Sequence, residues 1–156
     1  MATIDGRVKE LLEQPNFTHL STIREDGSIH GVVVWQHVED GKIALNSSEG
    51  RAWPANVRRE PRVTITVHAE DDPYEYVEIR GRVVVDTHDG AKEHIDALAG
   101  KYIGRDEYPW LQPGEQRIKF LVEPERIRHQ APRAEDDAEE QDDRAGRLAR
   151  ERETAS

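Results

Sequence analysis

The sequence predicts a mainly β fold with flanking helices, an antiparallel barrel or closed sheet of six or so strands. Three observations carry this. Runs of β-branched and aromatic residues recur, most of them bounded by turn signals. Three other stretches carry helical periodicity and lie outside the strands. Nothing alternates strand, helix and strand regularly, which argues against a parallel doubly wound sheet.

Ile4, Val8, Leu11 and Leu12 recur at helical spacing, so residues 3–14 read as a helix that Pro15 and Asn16 end. Phe17 to Ile23 is a strand. Asp26-Gly27 turns the chain into a second strand, Ile29 to Gln36, with the run Val32-Val33-Val34-Trp35. Asp40-Gly41 turns it again into Lys42 to Ser47, which makes a three-stranded meander. Residues 51–60 lose the period of two and read as a short helix. Pro54 falls in its first turn, where a missing N–H costs little, and Pro61 stops it. Arg62 to His68 alternates cleanly as a strand. Tyr76 to Val85 is a longer one, and Gly81 inside it marks a bulge or a barrel corner. Asp89 to Tyr102 is helical, with Ala91, Ile95, Leu98 and Tyr102 on one face. Residues 104–114 form an irregular loop carrying Tyr108 and Trp110. Arg117 to Val122 is a strand, and Arg126 to His129 a short last one.

The chain divides at residue 133. Residues 1–133 form one domain, and 156 residues leave no room for a second of similar size. Residues 134–156 hold nine acidic and four basic side chains and almost nothing apolar. That composition reads as a disordered acidic tail, or as a lone charged helix around residues 144–152. The formal net charge of −10 argues against nucleic acid as a partner. No apolar run approaches the ~20 residues that span a bilayer, so no membrane partner is expected. The amphipathic N-terminus is unlike a secretion signal, and the expected location is cytoplasmic.

Most familiar chemistries lack their residues. There is no cysteine. The seven histidines are scattered without helical i,i+4 pairs, so no metal is expected. There is no GxSxG elbow, no GxGxxG and no P-loop. The segment from Asn46 to Arg62 stands apart, because it puts four arginines within twelve residues of an acidic protein. Ser47, Ser48 and Gly50 precede a helix N-terminus, where free N–H groups favour an anion. Arg51 and Arg58 are seven apart, hence on one helix face, and arginine binds phosphate through paired donors. A phosphate site fits this pattern. So does a solvated helix with surface arginines. Trp35, Trp53, Tyr74 and Tyr76 pack the barrel or stack on a planar ligand.

Several stretches, in this order, resemble the pyridoxamine-phosphate-oxidase-like (PPOX-class) proteins. They are Phe17 to Ile23, Val33-Val34-Trp35, Asn46 to Arg51, Asn56 to Val63, Tyr76 to Val83, Lys101-Tyr102 and Glu123 to Ile127. The likeness is nearest to the deazaflavin-dependent oxidoreductases of class B. It implies a six-stranded antiparallel split β-barrel of the FMN-binding kind, working as a homodimer with cofactor clefts between the subunits. It implies a ring against Val33, Val34 and Trp35, and a phosphate held by Asn46, Ser47, Ser48, Arg51 and the start of the helix, with Trp53, Pro54, Asn56 and Arg58 in the same segment. Tyr74 and Tyr76 match positions that reach the site from the second subunit. Relatives commonly carry lysine where Trp53 stands and a basic residue at Ala55, so Arg51 and Arg58 must supply more of the charge here.

The function so implied is hydride transfer from reduced coenzyme F420, a deazaflavin, to a small organic substrate. An FMN-binding oxidase or reductase and a non-catalytic flavin or deazaflavin carrier are the alternatives. Tyr74, Tyr76 or a water would donate a proton. The 104–114 loop would cover the pocket or pack the dimer.

Overall fold

The computed structural model describes residues 2–132, and the expected tail with its boundary at 133 lies outside them. Ten elements follow in order: α1 (Gly6–Glu13), β1 (Thr18–Ile23), β2 (Ile29–Val34), β3 (Gln36–Glu39), β4 (Lys42–Ser48), α2 (Ala52–Arg59), β5 (Arg62–His68), β6 (Tyr76–Thr87), α3 (Ala91–Ile103) and β7 (Arg117–Gln130). The strands form one antiparallel sheet in the order β2-β1-β5-β6-β7-β4-β3.

The mainly β class and its three helices hold, but there are seven strands rather than six. The expected strand over 29–36 breaks at Trp35. Its first part pairs with β1 and its second with β4. The expected meander is therefore two separate hairpins. Each keeps its predicted turn. Asp40 and Gly41 both have positive φ, as a two-residue hairpin with the strand's own twist requires. Around Gly27, the Asp26 carboxylate accepts from the Ser28 N–H at 2.9 Å.

The break has a geometric consequence. β2 and β3 lie at opposite edges of the sheet, yet one residue joins them. Consecutive Cα atoms are about 3.8 Å apart, so the two edges must meet at Trp35. The sheet curls into a barrel whose seam is that residue.

The two strands expected over 117–122 and 126–129 are one, β7, which runs on through Pro124. Gly81 faces Pro124 across the β6–β7 ladder, and the register shifts between Arg80 and Gly81. The predicted bulge is thus present, and its cause is a proline with no N–H to give the ladder.

Inward residues of alternating strands fill the core: Leu20, Ile43, Leu45, Ile65, Val77, Ile79, Ile118 and Phe120 are fully buried. Leu11 and Leu12 of α1 join the same cluster, as do Trp53 and Val57 of α2. One buried carboxylate with two partners nearer the surface ties α1 to the barrel. Glu75, 2% exposed, accepts from Arg7 at 2.6 Å and from His129 at 2.8 Å. Lys101 of α3 donates to the carbonyls of Leu12 and Gln36 at 2.6 and 2.7 Å, and burial pushes its pKa down to about 8. That ammonium joins α1, β3 and α3 beside the seam.

Candidate functional site

A cavity of about 280 Å³ opens where the seam meets α2 and α3. Its first wall is the end of β2, with Val33, Val34 and Trp35. Trp35 is fixed from behind: it stacks on Tyr102 at 5.4 Å and 6°, and the Tyr102 hydroxyl donates to the Asn16 carbonyl at 2.8 Å. The second wall is β4 and the start of α2, with Asn46, Ser47, Arg51 and Trp53. Trp53 is also a core residue, 5.0 Å from the Phe120 ring.

Arg51 is the residue before the first turn of α2, where no side chain caps the free N–H groups. Its Nε donates to the Ser48 hydroxyl at 3.1 Å, which holds the guanidinium at the cavity mouth. Ser48 thus acts on Arg51 and does not itself line the cavity. Asn46 is buried and uses every polar atom. Its Oδ1 accepts from Arg117 Nε at 2.9 Å. Its Nδ2 donates to the Ala91 carbonyl at 2.8 Å and to His94 Nδ1 at 3.1 Å. Because Arg117 can only donate, the amide orientation follows, and His94 carries its proton on Nε2. Asn46 therefore holds β4, α3 and β7 together behind the cavity.

Arg117 was not singled out in the sequence. It sits at the start of β7, directly opposite Ser48, and is 8% exposed. Its guanidinium pairs with Glu115 at 2.8 Å and lies 5.1 Å from the Tyr108 ring, on the cavity wall. It gives the site a second cation where Trp53 and Ala55 give none. Only the strand pairing reveals it, since 66 residues separate it from Arg51. Ile95 and Leu98 of α3 also face this cavity. The 104–114 loop covers it with Tyr108 and Trp110, the latter 6.4 Å from Trp35.

Five further predicted positions lie elsewhere. Pro54 packs in the first turn of α2, buried as expected. Asn56 donates to the Thr22 hydroxyl at 3.1 Å, joining α2 to β1. Arg58 turns away: it pairs with Glu49 at 2.8 Å and with Asp86 at 2.7 Å. The Arg58 bond, with one from His88, holds Glu49 down to about 2. Arg51 and Arg58 therefore do not share one anion, because Arg51 precedes the helix and Arg58 is engaged near its far end. Tyr74 and Tyr76 flank the buried Glu75 and do not line the cavity of their own chain.

Two buried groups make stability depend on pH. Burial, then the neighbouring His37, Lys119 and Arg117, pushes His94 down to about 3. It is neutral when folded and takes a proton when unfolded. Its contribution is full above about pH 6.5 and falls as pH drops towards 3. The Arg7 guanidinium, opposed by burial and helped by His129, holds Glu75 below the usual carboxylate range. Its contribution is full above about pH 4.3 and is lost below that. Urea midpoints should fall in two stages on acidification. His94→Gln should flatten the first stage and Glu75→Gln the second. A wild-type midpoint that holds constant from neutral to about pH 5 would contradict the first assignment.

Residues 4–131 match the family model described as pyridoxamine 5'-phosphate oxidase. The chain belongs to the pyridoxamine 5'-phosphate oxidase family. Its barrel, with seven strands and three helices, is that family's split-barrel fold. No curated protein matches the chain. Among solved structures, one named F420 reductase is 27% identical, covering 77% of this chain and 94% of its own, with a TM-score of 0.68. A conserved hypothetical protein from Mycobacterium tuberculosis is 21% identical over 83% of this chain and 88% of its own, with a TM-score of 0.63. General stress protein 26 from Bacillus anthracis is 17% identical over 80% and 91%, with a TM-score of 0.59. The last two speak for the fold alone. Among the described residues no helix is long and apolar enough to cross a membrane. No cluster of three or more potential metal ligands occurs among them either.

Proposed function

We propose that this member of the pyridoxamine 5'-phosphate oxidase family is an oxidoreductase that binds reduced coenzyme F420 in the seam cavity and serves its hydride transfer to a small organic substrate. The observation that carries the reading is the pairing of Arg51 with Arg117 around one cavity, beside Ser47 and the uncapped start of α2. A phosphate is the anion such a set fits best. The likeness to a protein named F420 reductase favours the deazaflavin.

The residues present fit such a group in part of its length. About 280 Å³ is just under the ~300–1,000 Å³ of most cofactor pockets, so one chain encloses a portion of the ligand. A homodimer supplies the rest in this proposal. Exposed apolar side chains beside the cavity support it, Val33 at 60% and Trp110 at 56%. Tyr74 and Tyr76 would reach the partner's cavity.

When bound, the coenzyme supplies the hydride. The chain's own residues do the rest. Arg51 and Arg117 offer donors to the phosphate. The end of β2 at Val33, Val34 and Trp35 gives an apolar wall for a ring, with Trp35 stacked on Tyr102. Tyr108 and Trp110 exclude water from above. FMN is the second reading, favoured by the family itself, and would use the same cavity.

Titration of the purified protein with coenzyme F420 and with FMN separates the two readings. Arg51→Ala should weaken binding of the preferred cofactor by about one to two decades, since a charge-assisted contact is worth ~1.5–3 kcal/mol. Unchanged affinity would remove Arg51 from the site. Tight binding with no turnover across a broad acceptor screen would favour a carrier.

A further inference from the structure

A groove of about 420 Å³ runs across the sheet from the ends of β1 and β2 over β5 and β6 to β7. None of its lining residues lines the seam cavity. The strand register there does something unusual. Arg80 stands directly opposite Arg126, and Arg62 directly opposite Arg82. Like charges in such pairs are destabilising, and this acidic chain places two of them side by side. Carboxylates answer part of the charge: Glu123 stands opposite Arg82, and Glu125 lines the groove beside Arg126. Arg62 has Glu60 at 2.8 Å, whereas Arg82 reaches Glu125 at 3.7 Å and Arg80 reaches Glu78 at 3.9 Å. The side chains of Arg126, and of Arg128 on the same face of β7, make no hydrogen bond or ion pair within 4.0 Å among the described residues, although Arg128 stands opposite Glu78. Ser21 and Thr64 add hydroxyls to the groove wall.

The chain itself carries the complement. β7 ends at Gln130, four residues or roughly 13 Å along the strand from Arg126. Residues 135–143 then hold seven carboxylates and no base. Residues 131–137 span up to ~23 Å extended, enough to bring the first of these carboxylates back to the groove. Guanidinium groups bind carboxylates through paired donors, and five arginines on one sheet face offer several such pairs.

We propose that the acidic segment Glu135–Asp143 docks on this arginine groove of its own chain. The contact neutralises the two Arg–Arg pairs and covers the groove. It is independent of the cofactor reading, because the two sites share no residue.

The absence of cysteine makes the test direct. Ala138→Cys in the full chain carries a single nitroxide, and amide signals report which backbone it approaches. Broadening should concentrate at Thr64, Arg80 and Arg126, and fade as ionic strength rises. Arg80→Glu with Arg126→Glu should abolish it. So should Glu135→Gln with Asp136→Asn and Asp137→Asn, which touches no barrel residue and so separates lost docking from lost folding. Broadening absent from the groove, or unmoved by either set of substitutions, would overturn the proposal. Broadening seen only between a spin-labelled copy and a separate isotope-labelled copy would overturn it too, because the occupant would then be a second chain.

Discussion

Asn46→Ala should destabilise the protein by about 3 kcal/mol, for a change of one small buried side chain. Three hydrogen bonds vanish together, one of them to the guanidinium of Arg117. Bonds to charged groups are worth ~1.5–3 kcal/mol and neutral ones about 1 kcal/mol, and a buried donor left alone adds its own cost. Nor can water easily replace the amide, since Asn46, His94 and Arg117 are each at most 8% exposed. The melting temperature should fall by roughly 10 °C in a domain of this size. Asn46→Asp offers a sharper signature. It keeps the acceptor for Arg117 but sets a carboxylate against His94 Nδ1, so His94 should titrate well above 3. A loss under about 1 kcal/mol in Asn46→Ala would show that β4, α3 and β7 are held by packing instead.

Gly81→Ala should cost about as much, by a different route. A Cβ at Gly81 would lie 2.5 Å from the Glu123 carbonyl oxygen and 2.8 Å from Val122 Cγ1. The first of these neighbours is backbone and cannot swing aside. Relief requires β6, the central strand of the sheet, to part from β7 at the Gly81–Pro124 register shift. Overpacking of this kind costs ~1–3 kcal/mol, and a backbone clash falls at the upper end. Gly31→Ala is the control. It meets nothing within 4 Å, so denaturant midpoints should differ from wild type by less than about 0.5 kcal/mol equivalent. Equal losses at both positions would mean that a generic glycine effect, and not the close approach, is at work.

Much of this fold was legible in one dimension, because its signals are local. The two Asp-Gly turns, the Gly81 bulge and all three helices fall where turn chemistry and periodicity put them. The break at Trp35 was not legible. An unbroken run of valines ending in tryptophan looks like one strand, and the force that bends it is the pairing of its two halves with different partners. The same limit applied to the site. Ser47, Arg51 and Trp53 are contiguous with a helix start, so their grouping follows from chain order. Arg117 reaches them only through the β4–β7 register, and nothing near it in sequence marks it. Arg58 shows the converse. Its spacing from Arg51 suggested a shared face, but Glu49 and Asp86 lie closer and claim it.

The seam at Trp35 also fixes an order of assembly. The hairpins β1–β2 and β3–β4 close over short loops, whereas joining the sheet's two edges waits on β5, β6 and β7, the last of which begins more than 80 residues after Trp35. Long-range closure of that kind is slow and comes late. The cavity is built on the closing line, so it exists only in the finished barrel. A ligand that binds there acts as a clamp on the final step: it should leave the folding rate nearly untouched and slow unfolding in proportion to its occupancy.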